Sequence, residues 1–499
     1  MNAPQNQSRE VPEGNLAPGE RPLPGPRPPR AVWTADPQLS RSESGSDPSS
    51  PWEPDQQSPP VPRRGKHKIS HSTGVYRVQS RDGRKTARRT VGIDAARGLA
   101  MIGMIAVHTL PALNPETGEP TWVWRLAAGH ASALFALLAG VSLAFLTGSR
   151  KRDVGRDRLR SRVSLTVRAL ILLLFGLTLN LLPIPVFDIL PYYGLLFLLA
   201  IPFTLLSNRA NLVAAGAFAV VAPFVMQLSL AGIDYTPYYN ADIADLAVDP
   251  GNVLIDLLLT GHYPAITWMT FICLGIALGR MPLNRERVQV GLVIVGAVLA
   301  AAAVGLSNFL LYRAGGMRSI LEANPEMSAT DVRWVVKLGP DPVLPTTTNW
   351  WLVIDGPHTN TPFALAYSAG LAMVALGGFL LLSRTAGRWL SPIASIGTMT
   401  LTLYTLHMLF LAAIDISQHP GFWFFIQIAV AALIATAWLK ALGRGPLEAL
   451  MRAACRWAGR VVVPPGPEPD AAPATAPVET VPQSEEAGTR TEEAVPRRE

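Results

Sequence analysis

Three residues in one apolar stretch give the first chemical signal. Val91 to Leu113 reads VGIDAARGLAMIGMIAVHTLPAL, with Asp94 and Arg97 near one end and His108 near the other. On an α-helix, residues eleven apart differ by only about 20° around the axis and by roughly 16 Å along it, so Arg97 and His108 share a face at opposite depths. Titratable groups inside an apolar span are costly unless they face protein or water, which marks this face as a functional candidate. Asp94 has a simpler reading, because a carboxylate in the first turn complements the helix dipole. Arg97 either snorkels to lipid headgroups or, with Arg162 and Arg168, binds the phosphates of a cofactor.

Histidine is the side chain best suited to move a proton near neutral pH. His67 and His71 fall in a polar N-terminal tail, while His108, His130, His262, His358, His407 and His419 all fall at or near the same boundary of the apolar spans. Any one of them is explained by an interfacial ring satisfied by backbone or water; the set predicts a titratable cluster. No HxH or HExxH spacing occurs, so no metal is expected. Thr400, Tyr404 and His407 lie within about 60° of one helical face, a polar stripe suited to catalysis or to interhelical hydrogen bonds. The segment TTTNWWLVIDGPHTNTP brings Trp350 and Trp351 beside Asp355 and His358. It reads either as an aromatic belt or, with His130 and His262, as a grip for an acceptor.

The elements that must hold these residues are membrane helices. The chain has 499 residues, 49% hydrophobic and only 16% charged, with mean hydropathy +0.25 despite two polar tails. Repeated apolar runs of about 20 residues predict one all-α polytopic bundle of about ten spans rather than soluble domains. The spans are expected near residues 91–113, 130–146, 163–182, 189–206, 212–230, 262–280, 288–312, 362–382, 393–413 and 422–442. Residues 1–90 are rich in Pro and Ser and basic toward their end, and read as a disordered tail; 91–460 form the membrane domain; 461–499 read as a second disordered tail. No apolar h-region follows Met1, so the first span is expected to act as its own insertion signal. The basic connector GSRKRDVGRDRLRSR and the acidic loop Ala231 to Asn252 then place both termini in the cytoplasm. The formal charge of +7 clusters beside the spans, where orientation and anionic lipid account for it without nucleic acid. Cys273 and Cys455 are too far apart in depth for a disulfide framework.

The first span, IDAARGLAMIGMIAVH, resembles the opening helix of the transmembrane acyltransferase superfamily, with Asp94, Arg97 and His108 on the Asp-x-x-Arg start and terminal histidine of its type 3 members. HASALFALLAGVSLAFL, HYPAITWMTFICLGIALGR, SIGTMTLTLYTLH and GPLEALMR resemble the bacterial heparan-α-glucosaminide N-acetyltransferase-like branch. The resemblance covers about residues 89–456. It implies transfer of an acyl group, typically acetyl from cytoplasmic acetyl-CoA, to an extracytoplasmic sugar or lipid-linked glycan at a bacterial plasma membrane. His108, His407 and Tyr404 would then be catalytic, Arg97, Arg162 and Arg168 would face the donor, and His130, His262, His358, Asp355 and Trp351 the acceptor. Two departures stand out. The heparan branch carries a histidine and an acidic residue before its second span, where this chain has Glu119 and His130 with no match for the histidine. The Arg-x-x-Arg signature of type 3 enzymes is absent from the basic connector. The residues alone leave open a transporter or flippase, and a non-catalytic scaffold; oligomeric state is not legible.

Overall fold

The computed structural model describes residues 75–76, 89–147, 156–233, 237–340 and 343–463. Most of both tails, and the part of the basic connector holding Arg150, Lys151 and Arg152, lie outside the described residues. Apart from a two-residue strand pair, Val75–Tyr76 with Arg89–Thr90, the regular structure is helical.

Each of the ten expected spans is helical over most of its length, the ninth as two helices. They are α1 (Val91–Thr109), α3 (His130–Leu146, preceded by the short α2, Trp122–Ala127), α4 (Arg156–Leu179), α5 (Leu190–Phe203) and α6 (Asn208–Gly232). The short α7 (Ile243–Val248) and α8 (Pro250–Ile255) lead through a π-turn into α9 (Ala265–Gly279), followed by α10 (Glu286–Tyr312). After α11 (Gly316–Ala323) and α12 (Ala329–Leu338) come α13 (Pro362–Ala386), α14 (Ser391–Thr398), α15 (Thr400–Ala413), α16 (Pro420–Leu442) and α17 (Pro446–Val462). Among the described residues seven helices are long and apolar enough to cross a membrane, and nine when each bent pair counts as one span. The fourth expected span, α5, has only 14 residues and is outside that count. The bent pairs are α8 through its π-turn with α9, at 53°, and α14 with α15, at 82°. The ninth expected span is therefore two half-helices that meet at Met399, not one rod.

Burial separates the helices into two kinds. Helices α1, α3 and α9 are buried over most of their length, whereas α6, α10 and α16 expose rows of large apolar side chains such as Val213, Leu228, Val298, Phe309, Phe425 and Leu433. Such rows belong against lipid, since water would leave them uncompensated. Small residues let the inner helices approach closely. A Cβ on Gly397 would collide with the Asp94 carbonyl, and one on Gly275 with that of Leu137, which fixes α14 on α1 and α9 on α3.

The long segment before α13 has a core of its own, built from Leu311, Ile320, Val332, Val336, Trp351 and Ile354. The acidic loop before α9 also has a structural use. Asp242 and Asp245 form a capping box on α7, and Asp249 caps α8.

Candidate functional site

At one end of the bundle, five of the six histidines expected there come together. His108, on the last turn of α1, meets His407 of α15 with Nδ1 to Nε2 at 3.0 Å and nearly parallel rings 5.3 Å apart. His262 and His358 approach from the loops before α9 and α13, with ring centroids 4.1 Å apart. His108 is within electrostatic reach of His262 and His358, and His358 of His130. His419 is not part of the group: it precedes α16 and is exposed. Among the described residues no group of three or more His, Cys, Asp or Glu is arranged to hold a metal ion.

Local geometry explains how each ring is delivered. His358 and Asn360 both adopt left-handed φ, 57° and 56°, a conformation that costs a non-glycine residue energy and persists only where surroundings enforce it. The enforcement is visible. Asn360 Oδ1 accepts the Trp268 indole N–H at 2.8 Å, while its Nδ2 donates to the carbonyl of His358 at 3.0 Å. Gly129, itself at φ 71°, lies beneath the His358 backbone, so the turn that starts α3 and the loop that carries His358 are seated together. His130 then contacts Ser368 of α13 through Nδ1 at 2.8 Å. Burial and the nearby His130 push the His358 ring down to about 3, so it is neutral at physiological pH. His262 stacks on Phe187 with centroids 3.9 Å apart. The Nδ1 atoms of His262 and His358 are buried with no hydrogen-bond partner, an arrangement that favours a polar guest.

Tyr404, one turn before His407, donates to Asp188 Oδ1 at 2.7 Å, and the same oxygen accepts the Leu190 N–H at 3.0 Å. Burial lifts the Asp188 carboxyl to about 6 against those two hydrogen bonds. Its Oδ2 is buried and unpartnered. Asp188 escapes a sequence reading because FDILPYY resembles the lead-in to any apolar helix. Gln427 escapes it too, although a single amide inside FFIQIAVAAL was a signal: its Oε1 lies 2.7 Å from His407 Nδ1.

Two acceptor-side candidates sit in the segment before α13. Trp351 is fully buried in the small core before α13, its indole N–H bonded to Thr347, so it offers no stacking face to the outside. Asp355 is half-buried in the same segment, and burial raises its carboxyl.

The three arginines lie toward the opposite end and do not converge on one point. Arg97 ties α1 to α3 and α14: Nη2 donates to Ser142 Oγ at 2.7 Å, and Nη1 lies 3.4 Å from both Asp94 Oδ1 and the Gly397 carbonyl. Arg168 sits over the Phe197 ring at 5.7 Å and within electrostatic reach of Glu448 on α17. Glu448 in turn accepts the N–H groups of Leu401 and Thr402 at 2.8 and 3.1 Å, capping the half-helix α15. Arg162 is half-buried on α4, its Nε without a partner.

Residues 89–313 match the family model described as the catalytic region of heparan-alpha-glucosaminide N-acetyltransferase. The match spans α1 to α10 and takes in Arg97, His108, His130, Arg162, Arg168 and His262, while His358, Tyr404 and His407 lie beyond it. No individually curated protein matches the chain. The matched stretch supports a membrane acetyltransferase, and the helices make the chain a multi-pass membrane protein.

Proposed function

We propose that the chain transfers an acyl group, in the first place acetyl, from cytoplasmic acyl-CoA to a hydroxyl or amine of an extracytoplasmic sugar or lipid-linked glycan, at a bacterial plasma membrane. The observation that carries the reading is the His108–His407 pair, closed at 3.0 Å, in which His108 shares its helix with Arg97 and lies in the stretch similar to an acetyltransferase family. His108 acts as general base. It takes the proton from the acceptor O–H or N–H as that oxygen or nitrogen attacks the thioester carbonyl; the C–S bond breaks and the proton passes on to the leaving thiolate. The orphaned nitrogens of His262 and His358 and the free Oδ2 of Asp188 supply polar contacts for the acceptor. Arg97, Arg162 and Arg168 form the donor side.

Purified protein is expected to bind acetyl-CoA and to consume it in the presence of envelope glycans or glycolipids. His108→Ala should keep donor binding and lose transfer by about 10²–10⁴-fold. Unchanged transfer by His108→Ala, or no consumption of any CoA thioester, overturns the reading. The breaks of 53° and 82° in two spans favour a second reading, a transporter or flippase, because discontinuous helices commonly build transport sites. It predicts uptake or flipping of a glycan or glycolipid by proteoliposomes with no thioester turnover.

A further inference from the structure

Gln427 stands out in the helix that carries it. Helix α16 is apolar along its length and exposes most of its surface as a lipid-facing helix does. A primary amide there is costly in hydrocarbon unless both of its ends are bonded. Both are. Oε1 lies 2.7 Å from His407 Nδ1, and Nε2 lies 3.3 Å from Thr109 Oγ1, the residue after His108. One amide therefore touches both helices of the histidine pair.

A carbonyl oxygen can only accept, so the bond to Oε1 requires that His407 carry its proton on Nδ1. A neutral imidazole protonated on Nδ1 has its lone pair on Nε2. That lone pair faces His108 Nδ1 at 3.0 Å, so His108 must donate from Nδ1 and keep its own lone pair on Nε2. His108 is half-buried, and its Nε2 makes no hydrogen bond among the described residues. The atom left with a lone pair is thus the one that no protein group occupies.

We infer that Gln427 is a positioning residue that sets the tautomers of His407 and His108 in series and so makes His108 Nε2 the basic nitrogen of the site. The inference rests on the reading of His108 as the general base. When His108 takes a proton on Nε2, its Nδ1–H bond to His407 strengthens, and the Gln427 carbonyl holds the Nδ1–H of His407 that this requires. No proton is created or lost: the one gained from the acceptor resides on His108 until it leaves with the thiolate. Turning the amide round would reverse every donor along the chain and leave His108 Nε2 a donor, unable to act as a base. The Thr109 hydroxyl can accept from the amide N–H or donate to the amide oxygen, so the histidine tautomers read by NMR distinguish the two orientations.

Two substitutions at Gln427, read beside His108→Ala, test the inference. Gln427→Leu removes the acceptor and is expected to lower kcat at least tenfold with an unchanged donor KM. Gln427→Glu can still accept when ionised; it should recover most of the lost rate and move the acidic limb of the pH profile to higher pH, since a carboxylate favours a protonated His407. Besides His407, the titratable groups facing His108 are His262 and His358 from the loops before α9 and α13, with His130 of α3 behind His358 and Asp188 below His407 at Tyr404. None of them is altered in these variants. ¹⁵N NMR of histidine-labelled protein reads the tautomers without turnover: the wild type should give His407 protonated on Nδ1, and Gln427→Leu a mixture. Loss of transfer in His108→Ala together with wild-type kcat, pH profile and tautomers in Gln427→Leu overturns the positioning role alone. Equal loss in Gln427→Leu and Gln427→Glu also overturns it. Full transfer by His108→Ala instead overturns the base on which the role rests.

Discussion

Asp188, which is buried, and His358, which is half-buried, belong to the same cluster and respond to pH with opposite sign. Burial holds the Asp188 carboxyl at about 6, above its unfolded value, so between roughly pH 4 and 6 the folded chain binds more protons than the unfolded one. Its contribution to stability is full below the unfolded pKa and is lost as pH rises through about 6. His358 is held at about 3, below its unfolded value, so in the window from about 3 to 6.5 the unfolded chain binds more protons and stability is lost as pH falls. Asp188→Asn keeps an oxygen to accept from Tyr404 and Leu190 and removes the buried charge. It is expected to raise the melting temperature at pH 8, by an amount equivalent to at most about 3 kcal/mol, and by about half as much at pH 5, where the unfolded carboxyl is ionised and the folded one mostly is not. Thermal unfolding in detergent at the two pH values checks this; an equal effect at both would mean that the carboxyl is not titrating between them.

The break between α14 and α15 decides where the chemistry can sit, because it sets the depth and tilt of the half-helix carrying Tyr404 and His407. Two devices hold it. Gly397 gives α14 its close seat on α1, and Glu448 reaches from α17 to cap the opened N-terminus of α15, its Oε2 accepting the Thr402 hydroxyl at 2.6 Å. A carboxylate at that end satisfies orphaned amides and complements the helix dipole. Glu448→Ala should cost about 1–2 kcal/mol, the usual value of a lost N-cap, and Glu448→Gln less, since one oxygen can still accept. Melting temperature reports the order Ala below Gln below wild type; Ala equal to wild type would show that the cap is not holding the break. This device was not legible in the sequence, and the reason is physical. SIGTMTLTLYTLHMLFLAA has no proline at its break, and hydrophobic periodicity continues through it, so a single rod was the natural expectation. Seven of the other spans were legible because each is one apolar helix of membrane length, a signal carried by one segment alone. The histidine cluster was legible in part. Topology predicted that the six rings lie at one end, but a choice of five depends on loop geometry such as the left-handed turn at His358, which no local pattern encodes. Trp351 was misread as a candidate platform for a related reason: paired tryptophans look alike whether they line a surface or fill the small core before α13.

Charge is divided between the two ends of the whole bundle. The end holding the histidines carries Glu116, Glu119, Asp242, Asp245 and Asp249, with Lys337 and Arg125 drawn onto Glu119 at 2.6 and 3.6 Å. The opposite end carries Arg209, Arg280, Arg285, Arg287, Arg384, Arg388 and Arg444, with Arg384 tied to Glu286 at 3.5 Å. The positive-inside rule predicts a cytoplasmic arginine end, which would put the donor arginines beside cytoplasmic acyl-CoA and the histidines beside an external acceptor. The opposite orientation would require the acceptor to be cytoplasmic and would defeat the proposed crossing of the membrane, so sidedness tests the function as well as the topology. Both cysteines are buried, so a cysteine placed at an exposed position dominates labelling by an impermeant maleimide. Val248→Cys, at a position 86% exposed at the histidine end, should label in intact cells. Trp389→Cys, at one 72% exposed at the arginine end, should label only after permeabilisation. The reverse pattern would place the arginine cluster outside and leave His108 facing the donor compartment, where a base for an external acceptor has no task.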